Sequence, residues 1–487
     1  PGQAPALIAA ESAAAAEQLD QQLPVQLLMA LHPHLHLEAP SPPAGPHRRL
    51  RQAVQEKAPS YPLLRSSGPR SAVNKPLPPF NQRPFGVNLI GHAFEVFGIG
   101  EDIRMAALAL QAAGVPCCVI HHPAGNGAAC SDRSLEPLLC TDPSGGPYAF
   151  NLVCMAAPIH GRWLLQSGLE PLRERYTLAA WPWETDTWPR SWLPLLQVAD
   201  ELWPASRFTA SALAAPARAA GLPLQVMPMA AEIPEPERFS SAACRLATRQ
   251  RHQLPRDAVI FGFGFDLKST AIRKNPMGTL EAFQQAFPPQ ASGLSKRVAL
   301  MIKTFPPRRF SAEWHWLQAR AAEDQRIHLV VDSLDRHDLL ALYGCCDVFL
   351  SLHRSEGFGR GMAEALQLGL DVIATNYSGN TDFCTGPLAH PVRWHTVPIP
   401  RGAYPCADGH HWAEPDPNQA AELMRAVAAQ RLASGTHRSE ELCPMYRDRF
   451  ALATTGTRYR NRLETLWQQR HHLGQQLRWR ATPAPPR

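Results

Sequence analysis

At 487 residues the chain is longer than one ordinary hydrophobic core organises, so two or three domains are expected. A hydrophobic content of 45% is globular, while 48 prolines, roughly twice the usual share of about 5%, point to irregular segments beside packed ones. A net charge of +6 is mild and scattered outside His47-Arg48-Arg49-Leu50-Arg51 and Arg478-Trp479-Arg480, which argues against nucleic acid as a partner and leaves acidic small molecules, membrane phosphates or plain solvated surface.

The 11 cysteines include no Cys-x2-Cys spacing, and Cys117-Cys118 and Cys345-Cys346 sit inside apolar stretches as small hydrophobes. This excludes a disulfide scaffold and a zinc ribbon and fits a reducing compartment. No apolar run approaches the roughly 20 residues that span a bilayer. The start carries no signal-peptide charge pattern, so the cytoplasm is the expected location.

Residues 1–80 are expected to stand apart as an extension and linker. Ala6 to Leu31 suits one or two alanine- and leucine-rich helices, and Pro40 to Pro79 has linker composition. Within it, His32-Pro33-His34-Leu35-His36 places histidines at period two, but the interleaved proline and missing partners argue against a metal site.

From Pro84 an α/β rhythm begins. Phe85 to Ile90 predicts a buried strand, Gly98-Ile99-Gly100 opens a helix, and Gly114 stops it. Strands follow at Val115 to Ile120, Tyr148 to Met155, Tyr176 to Trp181, Glu201 to Pro204 and Leu224 to Met229, closing a domain over residues 84–235. The rhythm repeats over 257–440. Strands are expected at Val259 to Phe265, Val298 to Thr304, Ile327 to Val331, Asp347 to Leu352 and Asp371 to Thr375. Helices are expected at Asn275 to Phe287, from Ala312, from Asp335, up to Gly369, and at Asn418 to Leu432. A last helix, Arg458 to Leu473 within 441–475, has the length to pack back across the domain junction. Short apolar strands alternating with helices predict two parallel, doubly wound, Rossmann-like domains facing across a cleft.

The most informative stretch is Ser355-Glu356-Gly357-Phe358-Gly359-Arg360-Gly361-Met362-Ala363-Glu364. It runs from a strand through a glycine loop into a helix, with Glu364 expected in the first turn or so. Exposed backbone N–H groups and the helix dipole favour phosphate there, and carboxylates accept bonds from vicinal hydroxyls. Its Gly-x-Gly-x-Gly spacing is wrong for a dinucleotide fingerprint. A second loop, Asp266 to Pro276, brings Lys268, Arg273 and Lys274, and Lys303 ends the next strand. Fixed cations of this kind stabilise a departing phosphate. In the first domain Gly98 and Gly100 let backbone approach a ligand. Trp181-Pro182-Trp183-Glu184 offers aromatic faces and a carboxylate suited to sugars, although buried tryptophans are equally ordinary core. His160 is a weaker candidate for chemistry.

The Glu356-x7-Glu364 pattern resembles that of retaining glycosyltransferases of the GT-B fold, family 4. The resemblance covers about residues 84 to 470. It implies that Glu356 contacts the donor sugar and Glu364 the nucleotide ribose. It also implies backbone donors from Gly357, Phe358 and Gly359, and a phosphate-binding Lys274, with Lys268 or Arg273 in the place of the family arginine. Lys303 and the Gly98 and Gly100 loop would face the donor. Many relatives carry a histidine where Trp183 and Glu184 stand, so Glu184 is the expected acceptor or proton-handling residue. A nucleotide diphosphate sugar would be the donor, and a glycan or lipid-linked molecule the acceptor, at the cytoplasmic side of a membrane and in association with other glycosyltransferases. Nothing matches the Asp-x-Asp metal site of the other large glycosyltransferase fold, so neither an obligatory metal nor a cofactor is expected. The alternatives are an epimerase or phosphorylase on the same fold, or a non-catalytic sugar-binding module.

Overall fold

A computed structural model describes residues 23–24, 26–31, 77–125, 129–142, 144–267, 270–305, 312–434 and 439–477. The histidine alternation at His32 to His36 and the loop residue Lys268 lie outside the described residues.

Two all-parallel sheets form the frame. In the first, β1 (Val87–Gly91), β2 (Cys117–His121), β3 (Phe150–Cys154), β4 (Tyr176–Ala179) and β5 (Glu201–Leu202) lie in the order β2-β1-β3-β4-β5. In the second, β6 (Val259–Gly264), β7 (Val298–Thr304), β8 (Ile327–Val331), β9 (Val348–Ser351), β10 (Asp371–Thr375) and β11 (Ala389–Val392) lie in the order β11-β10-β9-β6-β7-β8. Strands β1, β3, β4, β7, β9 and β10 are buried along their whole length. That is why each reads as an apolar run and not as an alternation: helices cover both faces of a parallel sheet.

Strand order reverses between β1 and β3 in the first sheet and between β6 and β9 in the second. A doubly wound sheet opens a crevice at such a point, at the carboxyl ends of its strands. The loops after β6 and β9 therefore meet over the second crevice. They are the two loops that carry Lys274 and Glu356.

Local punctuation follows the sequence closely. Helix α1 (Gly98–Ala112) begins at the glycine loop and is stopped at Gly114, whose φ of +68° few other residues tolerate. Helix α2 (Ala157–Ser167) follows β3 and α3 (Arg207–Ala219) follows β5. The helix α4 (Pro276–Ala286) takes its cap from Asn275, whose side chain accepts from the Gly278 N–H at 3.2 Å. Asp335 caps α5 (Arg336–Gly344) in the same way, and α6 (Arg360–Gln367) starts after Gly359 at φ +100°.

Three expectations change. Leu224 to Met229 forms no strand: Leu224 makes one parallel bridge to Leu202 and the chain then crosses to the second domain. The structure also adds an antiparallel hairpin that no expectation from sequence covered, β12 (Trp394–Pro398) with β13 (His411–Pro415), before α7 (Pro417–Ser434). The final helix, α8 (Leu452–Gln468), begins six residues earlier than Arg458, after a further helix at Ser439–Phe450. It does pack on the first domain. A Cβ on Gly456 would lie 2.1 Å from the carbonyl oxygen of Ala109, so only glycine lets α8 press this close to α1. Tyr459 packs on Trp203, with ring centres 5.2 Å apart, and Trp467 on Phe80, Phe85 and Phe150.

The third change is at the N-terminus, where the described helical residues do not stand apart from the α/β domains but join the first of them. Leu23, Leu27, Leu28 and Ala30 are buried in its core with Trp163, Trp181 and Leu195.

Candidate active site

Between the two domains lies a cleft of about 1210 Å³, lined from both sides. The second domain contributes Asp266, Arg273, Lys274, Lys303, Glu356 and Glu364, and the first contributes Gly98, Glu101, Trp183 and Glu184.

Glu356 follows the end of β9. Its backbone N–H donates to Ser378 Oγ at 2.8 Å, and its carbonyl accepts from the Gly379 N–H at 2.9 Å. A Cβ on Gly379 would stand 2.1 Å from the Gly357 carbonyl oxygen, so this loop crossing requires glycine. The carboxylate is buried and ion-paired to Lys274 and, at 3.2 Å, to Arg273. Burial alone would raise its pKa. The charges of Lys274, Arg273 and His353 outweigh that and hold it down at about 2. Glu356 is a fixed anion at neutral pH.

Arg273, 2% exposed, is the hub beneath it. The guanidinium pairs with Glu184 across the cleft at 2.9 Å and donates to the Ser355 carbonyl at 2.6 Å. Burial opposes its charge, but Glu184 and Glu356 more than restore it and the pKa rises. Lys274 is more open, its side chain 22% exposed at the cleft surface. Lys303 sits at the end of β7 with Nζ 3.6 Å from the Phe305 ring centre. Burial pushes its ammonium down to about 8 against the pull of Asp266 and Asp332.

Glu184 is held by Arg273 and by the Tyr404 hydroxyl, both from the second domain. Tyr404 lies on the loop joining β12 to β13, and burial pushes its phenol well up, with the Glu184 charge adding to it. Trp183 is not laid open as a sugar platform. It is buried, with Nε1 donating to the Thr187 carbonyl at 2.9 Å, and packs edge-on against Trp188, Trp192 and Tyr404. Its own carbonyl is so close to Gly357 that a Cβ there would lie 2.8 Å away.

Glu364 falls in the second turn of α6 and not the first, because the helix begins at Arg360. It is buried and paired with Arg336 at 2.6 Å. Arg336 also reaches Glu101 of the first domain at 3.4 Å, and Arg360 pairs with Asp102 at 2.5 Å. Glu101 and Asp102 are therefore turned to arginines of the opposite domain, and neither stands as a bare charge facing a phosphate.

The two glycines of the first-domain loop divide their work. Gly98 lines the cleft with open space at its α-carbon. Gly100 does not line it: a Cβ there would come 2.2 Å from the Glu95 carbonyl, so it serves packing. His160 turns away from the cleft into the core, stacked on Trp163 and tilted against Trp181, where burial pushes its pKa down to about 3.

Tyr404, Arg336 and Arg360 were not singled out from the sequence. The two arginines did leave a trace, since a cation in the first turn of a helix opposes the dipole and asks for a partner elsewhere. Tyr404, in a Pro- and Gly-rich loop, left none.

Comparison with known proteins places this geometry. Residues 315–385, which include Glu356 and Glu364, match the family model described as glycosyl transferases group 1. No curated protein matches the chain by sequence. Among solved structures, Anabaena HepE in complex with UDP and glucose is 14% identical with a TM-score of 0.52, over 78% of this chain and 100% of that one. A glycosyltransferase from Rickettsia africae is 14% identical with a TM-score of 0.52, over 78% of this chain and 98% of that one. An α,α-trehalose 6-phosphate synthase from Burkholderia multivorans is 11% identical with a TM-score of 0.52, over 83% and 99%. At such identities the likeness establishes the GT-B fold, and the family match supports a group 1 glycosyltransferase.

Proposed function

We propose that the chain transfers a sugar from a nucleotide diphosphate sugar to an acceptor hydroxyl with retention at the anomeric carbon, as a family 4 glycosyltransferase in polysaccharide or cell-envelope glycan synthesis. One observation carries the reading. A carboxylate kept ionised by two cations stands at the second sheet's switch point, opposite an open glycine loop and a second carboxylate across the cleft.

In this reading Glu356 accepts hydrogen bonds from donor-sugar hydroxyls. Lys274, the accessible cation, turns from Glu356 to the diphosphate, joined by backbone N–H groups of the Gly357 and Gly98 loops and by Lys268. Arg273 keeps Glu356 and Glu184 in register from below. Glu364 leaves Arg336 to accept from the ribose hydroxyls. The bond between C1 and the phosphate oxygen breaks as the acceptor oxygen bonds to C1 on the same face, and the acceptor proton passes to the departing diphosphate. The negative charge that builds on that diphosphate is what fixed cations stabilise. Among donors, UDP-sugars come first, given the UDP, glucose and UDP-glucose held by HepE.

The test is a donor panel scored by thermal shift, followed by product analysis. UDP release that requires an acceptor, with the donor's anomeric configuration kept in the product, supports the reading. Release without acceptor, or inverted product, overturns it.

A further inference from the structure

Behind the cleft wall of the first domain, three residues from separate segments converge. Glu95 lies in the loop between β1 and α1, His121 ends β2, and Cys130 stands on the next loop, bridged to Glu95 through the backbone. One donor atom from each, a carboxylate oxygen, an imidazole nitrogen and a thiol sulfur, all fall within 4.8 Å of one another.

Two of these atoms are buried without a hydrogen-bond partner among the described residues: Glu95 Oε2 and His121 Nδ1. Glu95 is 3% exposed, and its other oxygen is already used by the Ala124 N–H at 2.8 Å. The orphaned atoms face each other at 3.8 Å, beyond hydrogen-bond range. Leaving a buried polar atom unmet forfeits its hydration with nothing in return, and the loss is larger for a charged group. That cost calls for something between them.

We propose that Glu95, His121 and Cys130 bind a divalent transition cation of the zinc type. Ligand bonds of about 2.0–2.3 Å in a tetrahedron put donor atoms roughly 3.4 Å apart, so the Glu95–His121 pair needs only slight contraction. The oxygen, nitrogen and sulfur set is the mixture that borderline cations such as zinc prefer over magnesium or calcium. An ionised carboxylate and a thiolate balance the charge of the ion. Cys130 is exposed, which leaves the fourth position to water. Of the neighbouring cations, Arg133 is stacked on the Phe94 ring at 4.6 Å, and Arg104 is taken up by the Ala93 and Glu95 carbonyls and by the Glu101 and Asp132 carboxylates.

The site would be structural. It ties together the loop carrying Val96, Phe97 and Gly98 and the loop carrying Ala129, Ser131 and Asp132, all of which line the cleft. A cation there fixes the wall that the donor phosphates would approach, without touching the reacting atoms.

Chelator-stripped protein is dialysed against zinc chloride and its metal content measured, then the same is done with cobalt(II) for its thiolate charge-transfer band. The proposal expects about one zinc per chain, a cobalt band, and loss of both in Cys130→Ser and in His121→Asn. Cys130→Ser is an exposed, conservative change and keeps the fold, which circular dichroism checks. Absence of stoichiometric zinc overturns the proposal and leaves only a His–Glu ion pair. Zinc retained in full by both variants, or a cobalt band that survives Cys130→Ser, overturns it as well, because the ion would then lie elsewhere.

Discussion

Glu356 and Glu184 face each other across the cleft through one arginine, yet they are held in opposite ways. Among the described residues Glu356 takes its partners from its own domain: Lys274, Arg273, the Ser378 hydroxyl on its N–H and the Gly379 N–H on its carbonyl. Glu184 belongs to the first domain but takes its partners, Arg273 and Tyr404, from the second. Glu356, the proposed donor carboxylate, is thus set by folding of one domain, and Glu184, the proposed acceptor-side carboxylate, by the docking of two. Changes on the donor side should strike chemistry directly, whereas those on the acceptor side should act through domain placement.

The sharpest way to break this contrast is Glu356→Ala. It removes the anion that offsets Lys274 and Arg273 and the acceptor proposed for sugar hydroxyls. By analogy with loss of one transition-state contact, kcat should fall roughly 10²–10³-fold. Lys274→Ala should fall by a similar factor, with nucleotide affinity also weakened. Turnover kinetics with a responding donor check both, and undiminished kcat in either variant would sink the site.

Glu184→Gln keeps the shape and removes the charge that Arg273 and Tyr404 share. If Glu184 meets the acceptor, acceptor KM rises about tenfold, roughly 1.4 kcal/mol, and the donor thermal shift stays. Tyr404→Phe acts only through Glu184 and should move acceptor KM in the same direction by less. A donor KM that moved as much as the acceptor KM would erase the distinction between the two carboxylates.

How much of this was legible differs between the same two sides. The proposed donor side was written locally: Glu356, Gly357, Gly359 and Glu364 lie in one strand–loop–helix unit, and Lys274 stands just before the cap of α4. Apolar runs and glycine stops located β1 to β10 because parallel strands are largely covered on both faces, whereas β11, only partly buried, and the β12–β13 hairpin carry no such run. The acceptor side depends on contacts between residues far apart in sequence, such as Tyr404 with Glu184 and Asp102 with Arg360. Pattern along a chain carries no record of those partners. Trp183 shows the same limit: spacing could not tell a sugar platform from an interior wall, and burial decided for the wall.

Arg360→Ala tests the docking itself. It removes the ion pair to Asp102 at 2.5 Å and the bond to the Ala230 carbonyl at 3.2 Å, both across the junction. Partly buried surface pairs are worth about 1 kcal/mol, so a rise of about fivefold in acceptor KM is expected, with donor binding preserved. Equal loss on both sides would mean that the junction holds the donor site too.

The smallest effect sharpens the donor side through pH. Burial puts the Lys303 ammonium at about 8, below its ordinary 10.5. Below about pH 8 the folded and unfolded chains both carry this charge, and the folded one bears the full cost of burying it. From there toward 10.5 the folded chain sheds the proton first, so stability attributable to Lys303 rises with pH. Donor binding should run the other way. A diphosphate beside Lys303 prefers the charged form, so donor KM should climb as pH passes through 8. Glu356, with its pKa lowered to about 2, stays ionised throughout that range, and the stability it lends is lost only as pH falls from about 4.5 toward 2. Lys303→Met should therefore flatten the rise in donor KM above pH 8 and leave the acid limb of the stability curve unchanged. A rise that persists in the variant would place Lys303 outside the phosphate site and leave Lys274 as the donor side's accessible cation among the described residues.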